Sequence, residues 1–81
     1  MEKVAIVTGS SSGIGFETSL ALAREGYFTY ATMRDTTKSN KIKEITQKEN
    51  LKISILELDV DDEKSVKSAI AQILDQKQRI D

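Results

Sequence analysis

Neither cysteine nor histidine occurs among the 81 residues, and these two absences remove whole classes of chemistry. Disulfides, Cys/His zinc sites and Cys-His or Ser-His nucleophilic pairs are excluded within the chain, so metal binding would rest on carboxylates alone. No charge of one sign dominates: twelve Lys and Arg stand against thirteen Asp and Glu. The basic residues are scattered rather than gathered on one face, which argues against a nucleic-acid partner. Met1-Glu2-Lys3 runs at once into a short apolar stretch. It lacks the long hydrophobic region of a signal peptide or membrane span, so a cytoplasmic protein without a membrane partner is expected. Length sets a further limit. A chain of this size forms at most one small domain, here residues 1–81, and buries only about 60% of its unfolded surface, which leaves stability marginal and little room for an independent catalytic core.

Glycine is scarce too, with only four in the chain, yet three of them fall in Thr8-Gly9-Ser10-Ser11-Ser12-Gly13-Ile14-Gly15. The surrounding pattern alternates strand and helix three times. Lys3 to Thr8, centred on Val4-Ala5-Ile6-Val7, is a continuous apolar run that reads as a central parallel strand covered on both faces. From Ile14 to Glu25, residues Ile14, Thr18, Ala21, Leu22 and Glu25 recur at helical spacing, and Gly26 stands where a left-handed stop is needed. Phe28 to Met33 is aromatic and β-branched and predicts a second strand. Thr36 to Asn40 reads as a loop. Ile42 and Ile45 then give a thin apolar stripe on a charged helix ending near Asn50. Ile53, Ile55, Leu56 and Leu58 predict a third strand. Asp61-Asp62-Glu63 places carboxylates at the positive end of a last helix, whose buried face is expected to be Val66, Ala69, Ile70, Ile73 and Leu74. The fold class is therefore α/β: a three-layer Rossmann-type β-α-β-α-β-α unit with a parallel sheet, the first half of a doubly wound domain. Ligands of such sheets bind outside the carboxyl ends of the strands.

The glycines have a physical reason in that setting. A strand that turns sharply into a helix, with its backbone close to a pyrophosphate, needs positions without Cβ and amides that point at the anion. Gly9, Gly13 and Gly15 supply them. The helix start adds roughly half a positive charge, and the hydroxyls of Ser10, Ser11 and Ser12 can bond phosphate oxygens or cap free amides. The plain alternative is a glycine-serine turn. What raises the pattern above that is its context, after a buried-type strand and at the opening of a helix in a β-α-β unit.

The spacing G-x-x-x-G-x-G resembles the T-G-x-x-x-G-x-G motif of the short-chain dehydrogenase/reductase superfamily. The likeness continues through GIGFETSLALAREG, similar to the family's first helix and terminal glycine, and covers essentially the whole chain. Leu58-Asp59-Val60 resembles the end of the family's third strand. The resemblance implies that Asp59 accepts from the adenine amino group, with Leu58 and Val60 holding the ring and Ile14 part of the glycine motif. Asp59 has a second reading, as a turn former bonding nearby amides.

The end of the second strand bears on the cofactor. NAD binders place an acid there for the ribose 2′-hydroxyl, whereas NADP binders offer an arginine and avoid the acid. Met33 occupies the acid's position and Arg34 follows it. A guanidinium binds a 2′-phosphate with paired charge-assisted hydrogen bonds, so NADP(H) is favoured. NAD(H) stays open through Asp35, which either pairs with Arg34 at the surface or reaches the ribose, and Arg34 also has the plain reading of a solvated loop charge.

The resemblance assigns catalysis in this family to an Asn-Asn-Ala-Gly segment, a Ser and a Tyr-x-x-x-Lys pair, none of which is present. Tyr27 and Tyr30 have no lysine four residues on and read as packing residues. Arg79-Ile80-Asp81 resembles the lead-in to the family's fourth strand, so the chain is expected to be a truncated part of a longer enzyme acting on a carbonyl or alcohol substrate, and inactive alone. Tyr30-Ala31-Thr32-Met33-Arg34-Asp35 resembles hydroxysteroid and retinoid reductases but names no substrate. The alternatives are a noncatalytic dinucleotide-binding module, which would bind NADP(H) without turnover, and an inactive fragment. In the family's sheet the first strand also pairs with the fourth, so a three-strand piece is expected to self-associate through its open edge.

Overall fold

A computed structural model describes residues 3–77. The lead-in expected at Arg79-Ile80-Asp81 lies outside the described residues. Three strands alternate with helices: β1 (Val4–Val7), α1 (Gly13–Arg24), β2 (Phe28–Met33), a single 3-10 turn (Thr36–Lys38), α2 (Asn40–Glu49), β3 (Ile53–Glu57) and α3 (Glu63–Lys77). Both pairings are parallel, with Val4 opposite Phe28 and Thr29 opposite Ile53, so all three carboxyl ends lie along one rim of the sheet.

The strand order is β1-β2-β3. Among the described residues β2, not β1, is the middle strand, and every β2 residue after Phe28 is buried. The reason is visible in the two cores. Successive side chains of a strand point to opposite faces, so Tyr30 and Phe28 meet Val4, Ile6, Leu56 and Ile73 of α3 on one side. Ala31 meets Leu20 of α1 and Ile42 of α2, with Phe16, Ile45, Leu51, Ile53 and Ile55 around them, on the other. A strand covered on both faces needs small or apolar groups at every position. Full burial of a side chain such as Ile73 or Ile42 contributes roughly 2–3 kcal/mol.

The helices end as the sequence indicates. α1 stops before Gly26, whose φ is 99°, and α2 stops at Asn50, whose φ is 55°. Arg24, at the end of α1, donates from Nε and Nη2 to the two carboxylate oxygens of Glu49, at the end of α2, at 2.8 and 2.6 Å. This bidentate bond ties together the two helices of one layer. Two further expectations need correction. The segment 36–40 is not an open loop: it contains the 3-10 turn, and Asn40 already belongs to α2. The face expected to be buried on α3 is only partly so. Ala69 and Ile73 are inside, while Ile70 and Leu74 are 37% and 43% exposed, because the described sheet is too narrow to cover the whole stripe.

Candidate functional site

The turn from β1 into α1 is built from the inside. Ser10 is completely buried. Its hydroxyl donates to the Val7 carbonyl at 2.8 Å, and Ser19 Oγ of α1 lies 3.0 Å away. The Ser10 amide donates to the Thr32 carbonyl, and Thr32 Oγ1 donates to the same Val7 carbonyl at 2.8 Å. The loop is thus fastened to the ends of both β1 and β2. Ser10 was expected to offer its hydroxyl to phosphate or to a free amide; its side chain instead lies beneath the loop and bonds Val7 and Ser19.

Gly15 explains why the first turn of α1 can lie against that loop. A Cβ there would collide with the Gly9 carbonyl and stand 2.8 Å from the Thr8 carbonyl oxygen. Gly9 and Gly13 are constrained differently. Their φ values are 62° and 63°, and a Cβ on either would meet nothing within 4 Å, so they are set by backbone conformation. The start of α1 is left bare: Ser12 occupies the N-cap position without a side-chain hydrogen bond, and the first turn holds no acid. The last helix treats its own start differently. Asp62 Oδ1 accepts from the amides of Lys64 and Ser65, and Glu63 sits in its first turn. The exposed amides and positive end of α1 suit an anion that the protein does not itself supply.

At the carboxyl rim the three strand ends enclose a cleft of about 780 Å³. Thr8, Gly9 and Ser11 form one wall, Met33, Arg34, Asp35 and Lys38 a second, and Leu58, Asp59 and Val60 a third. Ser12, Gly13, Ile14 and Gly15 lie beyond this wall at the start of α1, with Ile14 87% exposed.

Asp59 is held firmly. Its amide donates to Ser65 Oγ and its Oδ1 accepts from the Asp61 amide, both at 3.0 Å. Oδ2 faces Arg34 Nε at 3.8 Å. The turn-forming role is therefore present, and one oxygen remains toward the cleft. Leu58 is buried and its amide donates to the Met33 carbonyl, whereas Val60 is 60% exposed.

Asp35 caps the 3-10 turn: its Oδ1 accepts from the amide and the hydroxyl of Thr37. The Thr37 hydroxyl, then its amide, hold the carboxyl below its ordinary value of 3.8. That turn brings Lys38 round to the cleft wall beside Arg34. Lys38 is the residue that the sequence reading missed. The available signal was Asp35 two residues before Thr37, an Asx-turn pattern that bends the chain back on itself.

Tyr27 and Tyr30 pack as expected. Tyr30 is buried, with its hydroxyl donating to Gln76, and the Tyr27 ring lies under Lys3.

The whole of this arrangement falls within the match to the model of the short chain dehydrogenase family, which spans residues 3–81. The chain belongs to that family. The chain is 42% identical over 69 residues to YusZ, an oxidoreductase of Bacillus subtilis that has not been characterised, covering 83% of this chain and 24% of YusZ. Among solved structures it resembles gox2181, with a TM-score of 0.91 and 31% identity over 99% of this chain and 31% of that one. It also resembles YwfH, an NADPH-dependent reductase involved in bacilysin biosynthesis, with a TM-score of 0.89 and 26% identity over 100% of this chain and 35% of that one. The chain spans about a quarter of the length of YusZ. Its relatives are oxidoreductases, and the family binds a nicotinamide dinucleotide. No described helix is long and apolar enough to cross a membrane.

Proposed function

We propose that this chain forms the adenosine and pyrophosphate side of the cofactor site in an NADP(H)-dependent reductase or dehydrogenase acting on a carbonyl or alcohol. The bare start of α1 and the open positions above Gly9 and Gly13 fit the pyrophosphate, which would meet main-chain amides at the start of α1, from Ser12 to Gly15, and the hydroxyl of Ser11. Asp59 Oδ2 would accept from the adenine amino group, with Leu58 and Val60 beside the ring.

The observation that carries the preference for NADP(H) is the second wall. Two cations, Arg34 and Lys38, face the cleft there, and the acid between them is bonded to Thr37. A carboxylate that recognises the NAD ribose must be free to accept from its hydroxyls. Asp35 has its Oδ1 taken up by Thr37 in its own turn, which leaves Oδ2 alone for a ribose.

When bound, the dinucleotide supplies hydride transfer. The Asn-Asn-Ala-Gly segment and Tyr-x-x-x-Lys pair that the resemblance assigns to catalysis do not occur in these 81 residues, so the role proposed for this chain is cofactor binding and not turnover. Changing Arg34 or Lys38 to Ala tests the preference. Each substitution should lower the ratio of NADP+ to NAD+ affinity by roughly three- to tenfold, the worth of a partly solvated charge-assisted hydrogen bond, and Lys38→Ala should leave NAD+ binding nearly unchanged. An unaltered ratio in both variants would contradict the assignment.

A further inference from the structure

The ion pair between Arg34 and Asp59 joins the second wall of the cleft to the third, and its two halves differ in freedom. Asp59 is anchored through its amide to Ser65 and through Oδ1 to the Asp61 amide. Arg34 has a side chain 74% exposed, against 34% for Asp59. Any rearrangement of the pair is therefore a movement of Arg34, with Asp59 staying in place. The atom Arg34 faces, Oδ2, is the carboxylate oxygen not engaged with the Asp61 amide, and so the one with capacity to accept from a base.

We infer that Arg34 and Asp59 form a latch between the 2′-phosphate and adenine positions, in which a 2′-phosphate draws Arg34 away and leaves Asp59 Oδ2 to the adenine amino group. The inference rests on the proposed cofactor reading and adds to it a coupling between two parts of the ligand. A dinucleotide without the 2′-phosphate brings its amino group to an Oδ2 whose charge is still paired with Arg34, so that bond is the weaker of the two. A dinucleotide with the phosphate gives the guanidinium a doubly charged partner, and its amino group then bonds a carboxylate oxygen already released. The two recognition elements support each other through one movable side chain, a coupling free energy in the thermodynamic sense. Independent contacts would instead make the amino group equally valuable in both ligands.

The test is a set of four dissociation constants measured on the wild-type chain: NADP+, NAD+ and their hypoxanthine counterparts, in which a keto oxygen replaces the amino group. Exchanging adenine for hypoxanthine should weaken NADP+ more than NAD+, by about threefold, the scale of an exposed ion pair. In Arg34→Ala, which leaves Asp59 Oδ2 without its cationic partner for both ligands, the two losses should become equal. Equal losses in the wild-type chain, with NADP+ still the tighter ligand, would overturn the latch alone. If NADP+ binds no more tightly than NAD+, the cofactor preference fails and the latch fails with it.

Discussion

Single residues determine whether the β1–α1 turn can close. Gly15 is the most constrained, since the first turn of α1 rests on the Gly9 and Thr8 carbonyls where a side chain would stand. Gly15→Ala should therefore lower stability by roughly 2–3 kcal/mol, as overpacking against backbone does, and abolish dinucleotide binding; urea unfolding with and without NADP+ measures both. The need for glycine here was legible from the spacing alone. The separate fates of the three serines were not. Ser10, Ser11 and Ser12 carry identical side chains, and only the three-dimensional path turns the first under the loop while leaving the second at the cleft. Lys38 was hidden for a similar reason. Its distance from the strand end looks like solvated loop until the Asp35 cap folds the chain back.

At the scale of elements, pairing between helices sets an acid limit. Glu49 is held below its ordinary value of 4.5, first by its hydrogen bond from Arg24, which outweighs the opposing effect of burial, and then by the smaller attractions of the Arg24 and Lys48 charges. A lowered carboxyl value means that folding gains from the ionised form. The gain is complete above the unfolded value and is lost as pH falls through the lower folded one. Glu49→Gln should consequently be less stable than wild type at neutral pH and low salt, with the gap closing as the pH drops below the ordinary glutamate range. Urea midpoints at pH 7 and about pH 3 report the difference; a gap that is constant with pH would contradict a stabilising bridge. The elements themselves were largely readable. Every helix and strand expected from periodicity exists, with ends shifted by a residue or two where hydrogen bonding fades. What periodicity does not give is the cover over a stripe. Ile70 and Leu74 carry the spacing of buried residues, and Val4-Ala5-Ile6-Val7 the composition of an inner strand. Neither pattern says what lies against it.

For the whole molecule, those incompletely covered features mark where further packing belongs. Among the described residues β1 pairs with β2 alone, and Ile70 and Leu74 of α3 are partly in water. The isolated chain should thus self-associate: size-exclusion at high concentration is expected to place it above a 9.0 kDa monomer. A longer product from the source cells, carrying its own cover, should lack that concentration-dependent shift. A clean monomer of the 81-residue chain would contradict the expectation.

The cofactor preference depends on the whole rim, because it needs the β1–α1 turn, the Asp35-capped turn and the end of β3 in their mutual places. The most direct measurement is equilibrium titration of the chain with NADP+ and with NAD+ at one fixed ionic strength. NADP+ should bind about tenfold more tightly, as expected when a phosphate gains charge-assisted hydrogen bonds from Arg34 and Lys38. Equal affinities, or tighter NAD+ binding, would show that the second wall does not read the 2′-phosphate and would contradict the proposed function at its centre.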